Sequence, residues 1–404
     1  MPRIALGPLL TLACACACQH EPAGGDGSTG TVSTTVAATD WGDASHGSGT
    51  STGTTAADTS SEGTSEGSTG EAPPDRVAIY VASGTSLYAF RLALDSGALE
   101  PLPSQSPGGT LGPLTHRDAV LHAARTEDLA IATLAIADDG TLAPLGSATV
   151  GLAAVYLQID GPGTHLLLAD FGANTIASHP RQPGDGAITA RASATVAVGQ
   201  QPHAIVLAPD GRFAVVPHLQ SNELRVFAYD ATGGALVPAA VPEVVAPQAG
   251  PRHLVFSDDA TRAYLVDEVG DAITTWDYDA ITGGLSNPRA QTTLPPDFDG
   301  ADNTCADVHI RPGGATLYVS NRGHDSLAIF DLDAAGEPSP AGHVATAAVP
   351  RSFAIEPGGR WLVAAGQASG ELAIHAIADD GQLAPALAPV AVPPEPVWVE
   401  AVAL

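Results

Sequence analysis

The residues of this chain best suited to chemistry fall in two sets of short strings at matching repeat positions. The first set reads Pro202-His203, Pro251-Arg252-His253, Ala306-Asp307-Val308-His309 and Pro350-Arg351. The second reads Val266-Asp267-Glu268, Ser320-Asn321-Arg322-Gly323-His324-Asp325 and Gly366-Gln367. Brought to one concave opening, His203, Arg252, Glu268, Asp307, Arg322 and Arg351 would form a site for a small anionic molecule. Arginine suits a carboxylate or phosphate because its planar fork binds two oxygens at once. Glu268 and His203 are the residue types that general acid–base work needs. Structural roles compete with each assignment. His203 could hydrogen-bond a neighbouring repeat, Arg252 and Arg351 could be struts, and Glu268 could be the ion-pair partner of Arg252. Arg322 has the least structural explanation, because its neighbours match nothing in the other repeats. His253, His309 and His324 are nearby candidates for which structural roles weigh more.

Two recurring elements must position these strings. One is an apolar strand, an acidic or Gly-rich turn, then Leu or Ile. It runs from Tyr88 to Leu99, Ile131 to Leu142, Ile176 to Ile188, Arg225 to Leu236, Thr275 to Leu285, Ala328 towards Pro338, and Ala373 to Leu383. The copies start roughly 43 to 53 residues apart, the range of four-stranded propeller blades. The other element, Ile205 to Val216, reads as strand, Pro209-Asp210-Gly211 turn, strand. Proline fixes φ there and glycine tolerates a positive one. Its cognates run from Leu254 to Val266, Val308 to Val319 and Phe353 to Val363. No helical periodicity of useful length interrupts this alternation. The pattern predicts an all-β fold over residues 75–404: a seven-bladed β-propeller of four-stranded antiparallel blades. A ring protects strand edges, and Val77 to Val81 should close it by pairing with Val397 to Ala403. Let strands a to d run outward from the central channel. Antiparallel order then puts the starts of strands a and the b–c turns on one face, opposite the Pro-Asp-Gly turns. Both sets of strings fall on that face.

Composition limits the partners. Among 404 residues, 44 acidic side chains stand against 16 basic ones, all arginine, for a net charge of −28. That sign repels nucleic acid and leaves no basic surface for anionic lipid. Of four cysteines, Cys14, Cys16 and Cys18 lie near the start, so the body holds only Cys305. An internal disulfide and a multi-thiolate zinc site in the body are thereby excluded. Cys305 reads as a small buried hydrophobe.

Residues 1–18 read as an export leader: Arg3, a short apolar run from Ile4 to Ala13, then alternating Ala and Cys. The ending resembles a bacterial lipobox, with Cys14 or Cys18 as the lipidated residue and Cys16 as competitor. No candidate cysteine is followed by Asp, which by resemblance to Gram-negative lipoprotein sorting points to the outer membrane. Residues 19–74, rich in Gly, Ser, Thr and Ala, read as a disordered tether. The lipid anchor would be the only membrane contact of a monomeric protein at the cell surface or in the periplasm.

The strings Gly250-Pro251-Arg252-His253, Leu294-Pro295-Pro296-Asp297-Phe298, Tyr318-Val319-Ser320-Asn321-Arg322-Gly323-His324-Asp325-Ser326 and Pro350-Arg351-Ser352-Phe353-Ala354-Ile355 resemble the β-propeller lactonases. That family includes bacterial 6-phosphogluconolactonases and fungal carboxy-muconate cyclases. The resemblance covers residues 76–400. It implies an active site built from His203, Arg252, Glu268 and Arg322, with Arg351, Asp307, His253 and His324 on the substrate. Departures occur at Asp267, Asp307, His218 and Asp170-Phe171, where the family tends to carry other residues. The implied activity is opening of a sugar or organic-acid lactone, with no metal and no cofactor. A phosphorylated sugar lactone fits an exported protein poorly, and an unphosphorylated one fits better. The alternative is a non-catalytic surface propeller that binds a small anion or a protein partner.

Overall fold

The computed structural model of the protein describes residues 76–404, apart from Gln248. The expected leader and tether and the candidate lipidation sites Cys14, Cys16 and Cys18 lie outside the described residues. Within them the chain forms seven antiparallel sheets and no helix. Blades I to VII follow chain order, and blade I is completed by the C-terminus. Its strand a is Pro396–Ala403 and its strand b is Val77–Ser83. They pair from Val77 opposite Ala403 to Val81 opposite Val399. The ring therefore closes as the repeat register predicts, and no inner strand edge is left open.

The inner strands are buried on both faces because neighbouring blades cover them. Strand b of blade I is buried at every position. The apolar cores lie between blades, as where Tyr264, Val266, Leu317 and Phe330 of blades V and VI meet around Cys305. Burial pushes the Cys305 thiol up to about 12 despite its hydrogen bond to Thr293, so it is an inert packing group. Tyrosines on strands b of blades I, V and VI tie those blades to the outer turn of the next. Tyr80 donates to Gly140 O at 2.9 Å, Tyr264 to Gly336 O at 2.7 Å and Tyr318 to Gly381 O at 2.7 Å. Trp361 performs this role across the closure, donating to Leu94 O at 3.0 Å.

The blades are less equal than the repeat suggests. The outer strands of blades III, IV and VII are short or broken: Ala194–Ala197, Ala235–Pro238 with Val244–Val245, and Val390–Ala391. Prolines explain two of these. Pro238, Pro242 and Pro247, then Pro385, Pro389 and Pro393, remove ladder donors along the edge.

Strand a carries the feature that matters for the site. Its register slips at the mouth in blade after blade: between Leu111 and Leu114, Ala154 and Tyr156, Pro251 and Leu254, Cys305 and Val308, and Pro350 and Ser352. A bulge adds an unpaired residue and re-aims side chains. Arg252, His253, Asp307 and Arg351 all occupy these slips.

Candidate active site

Glu268 is the hub of the mouth. It follows strand b of blade V, Arg262–Asp267, and its amide donates to Gly250 O at 2.6 Å, which fixes the turn. Its carboxylate gathers three partners from three blades. Arg322 Nη2 lies 2.7 Å from Oε1, Arg252 Nε lies 3.0 Å from Oε2, and His203 Nε2 lies 3.9 Å from Oε2. The Arg252 pair is an ion pair only, since neither Arg252 Nε nor Glu268 Oε2 completes a hydrogen bond. Burial alone would raise the Glu268 pKa. Arg252, Arg322 and Arg351 overcome it and hold the group below the usual glutamate range. Glu268 is therefore a carboxylate at neutral pH.

The two paired arginines are anchored in the wall. Arg252, 2 % exposed, also donates to Ala306 O. Its burial and the neighbouring positive charges lower its pKa to about 9, against the pull of Glu268, so it is still cationic at pH 7. Arg322 Nη2 donates to Cys305 O at 3.0 Å and its Nε to Thr304 O at 3.4 Å. Arg351 differs: among the described residues no carboxylate pairs with it and no hydrogen bond fixes its guanidinium. Burial and the charge of Arg322 lower its pKa, while Glu268 raises it.

His203 is buried, and its pKa lies well below the usual histidine value. Burial is the first cause, then the charges of Arg252, His253 and Arg351. It is neutral at pH 7, its Nδ1 lacks a partner, and Phe171 meets its ring edge-on at 5.5 Å. His253 packs on it at 5.3 Å and is neutral too, lowered to about 4 by burial and Arg252 although Asp307 opposes them. Asp307 lies below this layer. His253 Nδ1 is 2.8 Å from its Oδ1 and His309 Nε2 is 3.4 Å from its Oδ2. Burial would raise Asp307, but His309 and His253 hold it well below the usual carboxylate range.

Of the predicted site residues, His203, Arg252, Glu268 and Arg322 meet directly, and Arg351, His253 and Asp307 surround them. His324 does not join them. Asn303 Oδ1 accepts from the amides of Gly323 and His324 at 3.0 and 2.9 Å, which fixes the turn. Its ring then rests on Ser326 Oγ at 2.7 Å and beside Phe298 and His343, towards the outer strands. Gly323 is needed there, because a Cβ would come within 2.5 Å of Asp302 O.

Sequence reasoning missed the aromatic floor. Trp398 and Tyr156 lie 5.8 Å apart, and each lies against His253, at 5.9 and 5.4 Å. The register contained the cue: Pro396-Val397-Trp398 occupies the position of Pro251-Arg252-His253. A cavity of about 150 Å³ opens at this floor, between Arg252 and Arg351 on one side and Pro113, Val155, Val397 and Trp398 on the other. A second cavity of about 180 Å³ lies in the channel around His253, Asp307, His309 and Glu400. Among the described residues, no group of three or more His, Cys, Asp or Glu side chains is arranged to hold a metal ion.

Known proteins resemble this one in both fold and sequence. Residues 76–401 match the family described as lactonase, seven-bladed β-propeller. A 6-phosphogluconolactonase of Yersinia pestis (strain Pestoides F) is 31 % identical over 306 residues, covering 74 % of this chain and 90 % of that protein. A 6-phosphogluconolactonase of Serratia proteamaculans (strain 568) is 29 % identical over 330 residues, covering 80 % of this chain and 98 % of that protein. The solved structure of a Pseudomonas aeruginosa periplasmic gluconolactonase superposes with a TM-score of 0.74 at 22 % identity, over 81 % of this chain and 99 % of that one, a likeness of fold. The chain belongs to the seven-bladed β-propeller lactonase family.

Proposed function

We propose that the mouth of this propeller hydrolyses a lactone. The observation that carries the reading is one ionised carboxylate, Glu268, held between Arg252 and Arg322 and beside a neutral histidine. Water attacks the ring carbonyl and gives its proton to Glu268. The oxygen of the carbonyl becomes an oxyanion, which the arginines stabilise. The ring C–O bond then breaks, and the leaving oxygen takes the proton back, giving a hydroxy acid. As oxyanion charge draws Arg252 and Arg322 away from Glu268, the carboxylate becomes a stronger base at the moment the proton arrives. His203 stays neutral beside it, its Nε2 3.9 Å from the carboxylate.

The relatives named 6-phosphogluconolactonase support a lactone substrate. We place the protein outside the cytoplasm on an N-terminal lipid anchor, as the export-like leader and tether suggest, where an unphosphorylated lactone is the better match. The reading is tested by incubating the full chain with a panel of sugar and organic-acid lactones in ¹⁸O-labelled water. Ring opening above the spontaneous rate, with one labelled oxygen in the new carboxylate, is the expected result. No acceleration of any lactone, or an unlabelled unsaturated product of elimination, would overturn it.

A further inference from the structure

Asp307 is a buried carboxylate to which the proposed lactone opening gives no role. It sits in the strand-a bulge of blade VI, and its side chain is 6 % exposed. The bulge aims two groups at blade V: Ala306 O accepts from Arg252 Nη1, and Asp307 Oδ1 lies 2.8 Å from His253 Nδ1. The remaining polar contacts of the carboxylate are with nitrogens too. Val308 N donates to Oδ1 at 3.1 Å and Phe353 N to Oδ2 at 3.3 Å, while His309 Nε2 lies 3.4 Å from Oδ2. Asp307 is ionised, so it can only accept hydrogen bonds. The proton of the neutral His253 imidazole therefore sits on Nδ1, and Nε2 is bare.

That ring is where Arg252 rests. Arg252 Nη1 lies 3.3 Å from both His253 nitrogens. Equal distances put it over the imidazole face, because in the ring plane it would collide with Cε1. Guanidinium groups stack on flat rings, and a neutral imidazole accepts one where an imidazolium would repel it. Arg252 has two other holds, Ala306 O on Nη1 and the Glu268 carboxylate near Nε. Those two leave the guanidinium free to rotate about the line between them, and the ring face removes that freedom. An arginine that rotated there would present its donors to a developing oxyanion only part of the time, and misplaced groups are costly in catalysis.

We propose that Asp307 is a positioning residue: it fixes His253 as the Nδ1–H tautomer, and that ring seats Arg252 against Glu268. Asp307 acts through His253 without touching the substrate. The proposal rests on the lactone-opening reading for the chemistry, but the seat can be measured without turnover. The first measurement is ¹⁵N NMR of the full chain labelled at histidine, with His253→Gln assigning the signal. At pH 7 the wild type should show His253 protonated on Nδ1 and bare on Nε2. An Nε2–H form overturns the proposal. The second is solvent exchange of the Arg252 Nε–H in chains labelled at arginine. Asp307→Ala and His253→Gln should each speed it by about tenfold, while the Arg322 Nε–H keeps its wild-type rate. Unchanged Arg252 exchange in His253→Gln, or equal acceleration at Arg322, overturns the proposal. The wild-type tautomer and His253→Gln decide it even if Asp307→Ala fails to fold. Kinetics on an opened lactone give the third reading. Each single variant should lower kcat by about ten- to a hundredfold and leave KM within about threefold. The double variant should be no slower than the slower single one, because both cut the same chain of contacts. Losses that multiply would contradict this. A wild type that opens no lactone would defeat the hydrolytic reading, and the tautomer and exchange results would still decide the seat.

Discussion

Glu268→Gln is expected to lower kcat/KM for lactone opening by about 10²–10⁴, the range of a positioned general base. The substitution keeps the shape and removes the charge. It deprives the oxyanion chemistry of its proton acceptor and leaves Arg252 and Arg322 without their shared carboxylate. Breaking a buried ion pair this way costs about 3–5 kcal/mol, so part of any loss could come from the fold. Glu268→Asp separates the two effects. It retains the negative charge and most of the stability, but the shorter side chain withdraws the base from the reacting water. We expect Glu268→Asp to melt near the wild type and still lose at least tenfold in kcat/KM. A Glu268→Asp enzyme as active as wild type would show that the carboxylate serves only to neutralise the arginines. The pH profile gives a second reading. Glu268 titrates below the usual glutamate range and His203 well below the usual histidine value. The acid limb of kcat/KM should therefore follow Glu268 and lie below the usual glutamate range, with a plateau through neutrality.

Asp267→Asn is expected to stabilise the protein, and only away from acid pH. Asp267 is fully buried at the end of strand b of blade V. Thr274 Oγ1 donates to its Oδ2 at 2.6 Å, while Oδ1 has no partner. Burial pushes its pKa from 3.8 to about 7, against the lowering effect of Thr274. Between these two values the folded state keeps a proton that the unfolded state has released. Stability therefore falls as pH rises through this window, and the full penalty is present above about pH 7. At about 1.4 kcal/mol per pH unit the penalty reaches about 4 kcal/mol. Asn cannot ionise, although its amide is also imperfectly satisfied. Denaturation midpoints should show Asp267→Asn more stable than wild type by about 2–4 kcal/mol at pH 8, with no gain at pH 4. A gain of the same size at both pH values would contradict this origin.

The ring, and the meeting of His203, Arg252, Glu268 and Arg322 on one face of it, were legible in the sequence because both follow from register. Recurrent Gly and Asp turn residues mark where strands end, and a meander then decides which ends share a face. Cross-blade contacts were much less visible. Nothing local in Ala263-Tyr264 or Leu317-Tyr318 marks the tyrosine as a tie to the next blade, because its acceptor carbonyl lies 72 or 63 residues further on. Trp398 was hidden for a related reason. It sits in a strand read for its role in closing the ring, and its channel position emerges only when Pro396-Val397-Trp398 is aligned with the other starts of strand a. His324 went the other way. It shares a turn with Arg322, but Asn303 holds that turn so that its ring faces outward. The strand-a bulges have no signature of their own, yet they set which residues face the channel.

The lactone opening proposed for this mouth is carried by the arginine–glutamate cluster. It is tested most directly by comparing initial rates of lactone opening, recorded by pH-stat at pH 7, for wild type and Arg322→Ala. Circular dichroism shows in parallel that both are folded. A wild-type rate above spontaneous hydrolysis and a loss of about 10²–10³ in kcat for Arg322→Ala are expected. A wild-type rate equal to the spontaneous one, or an Arg322→Ala enzyme with undiminished rate, would contradict it.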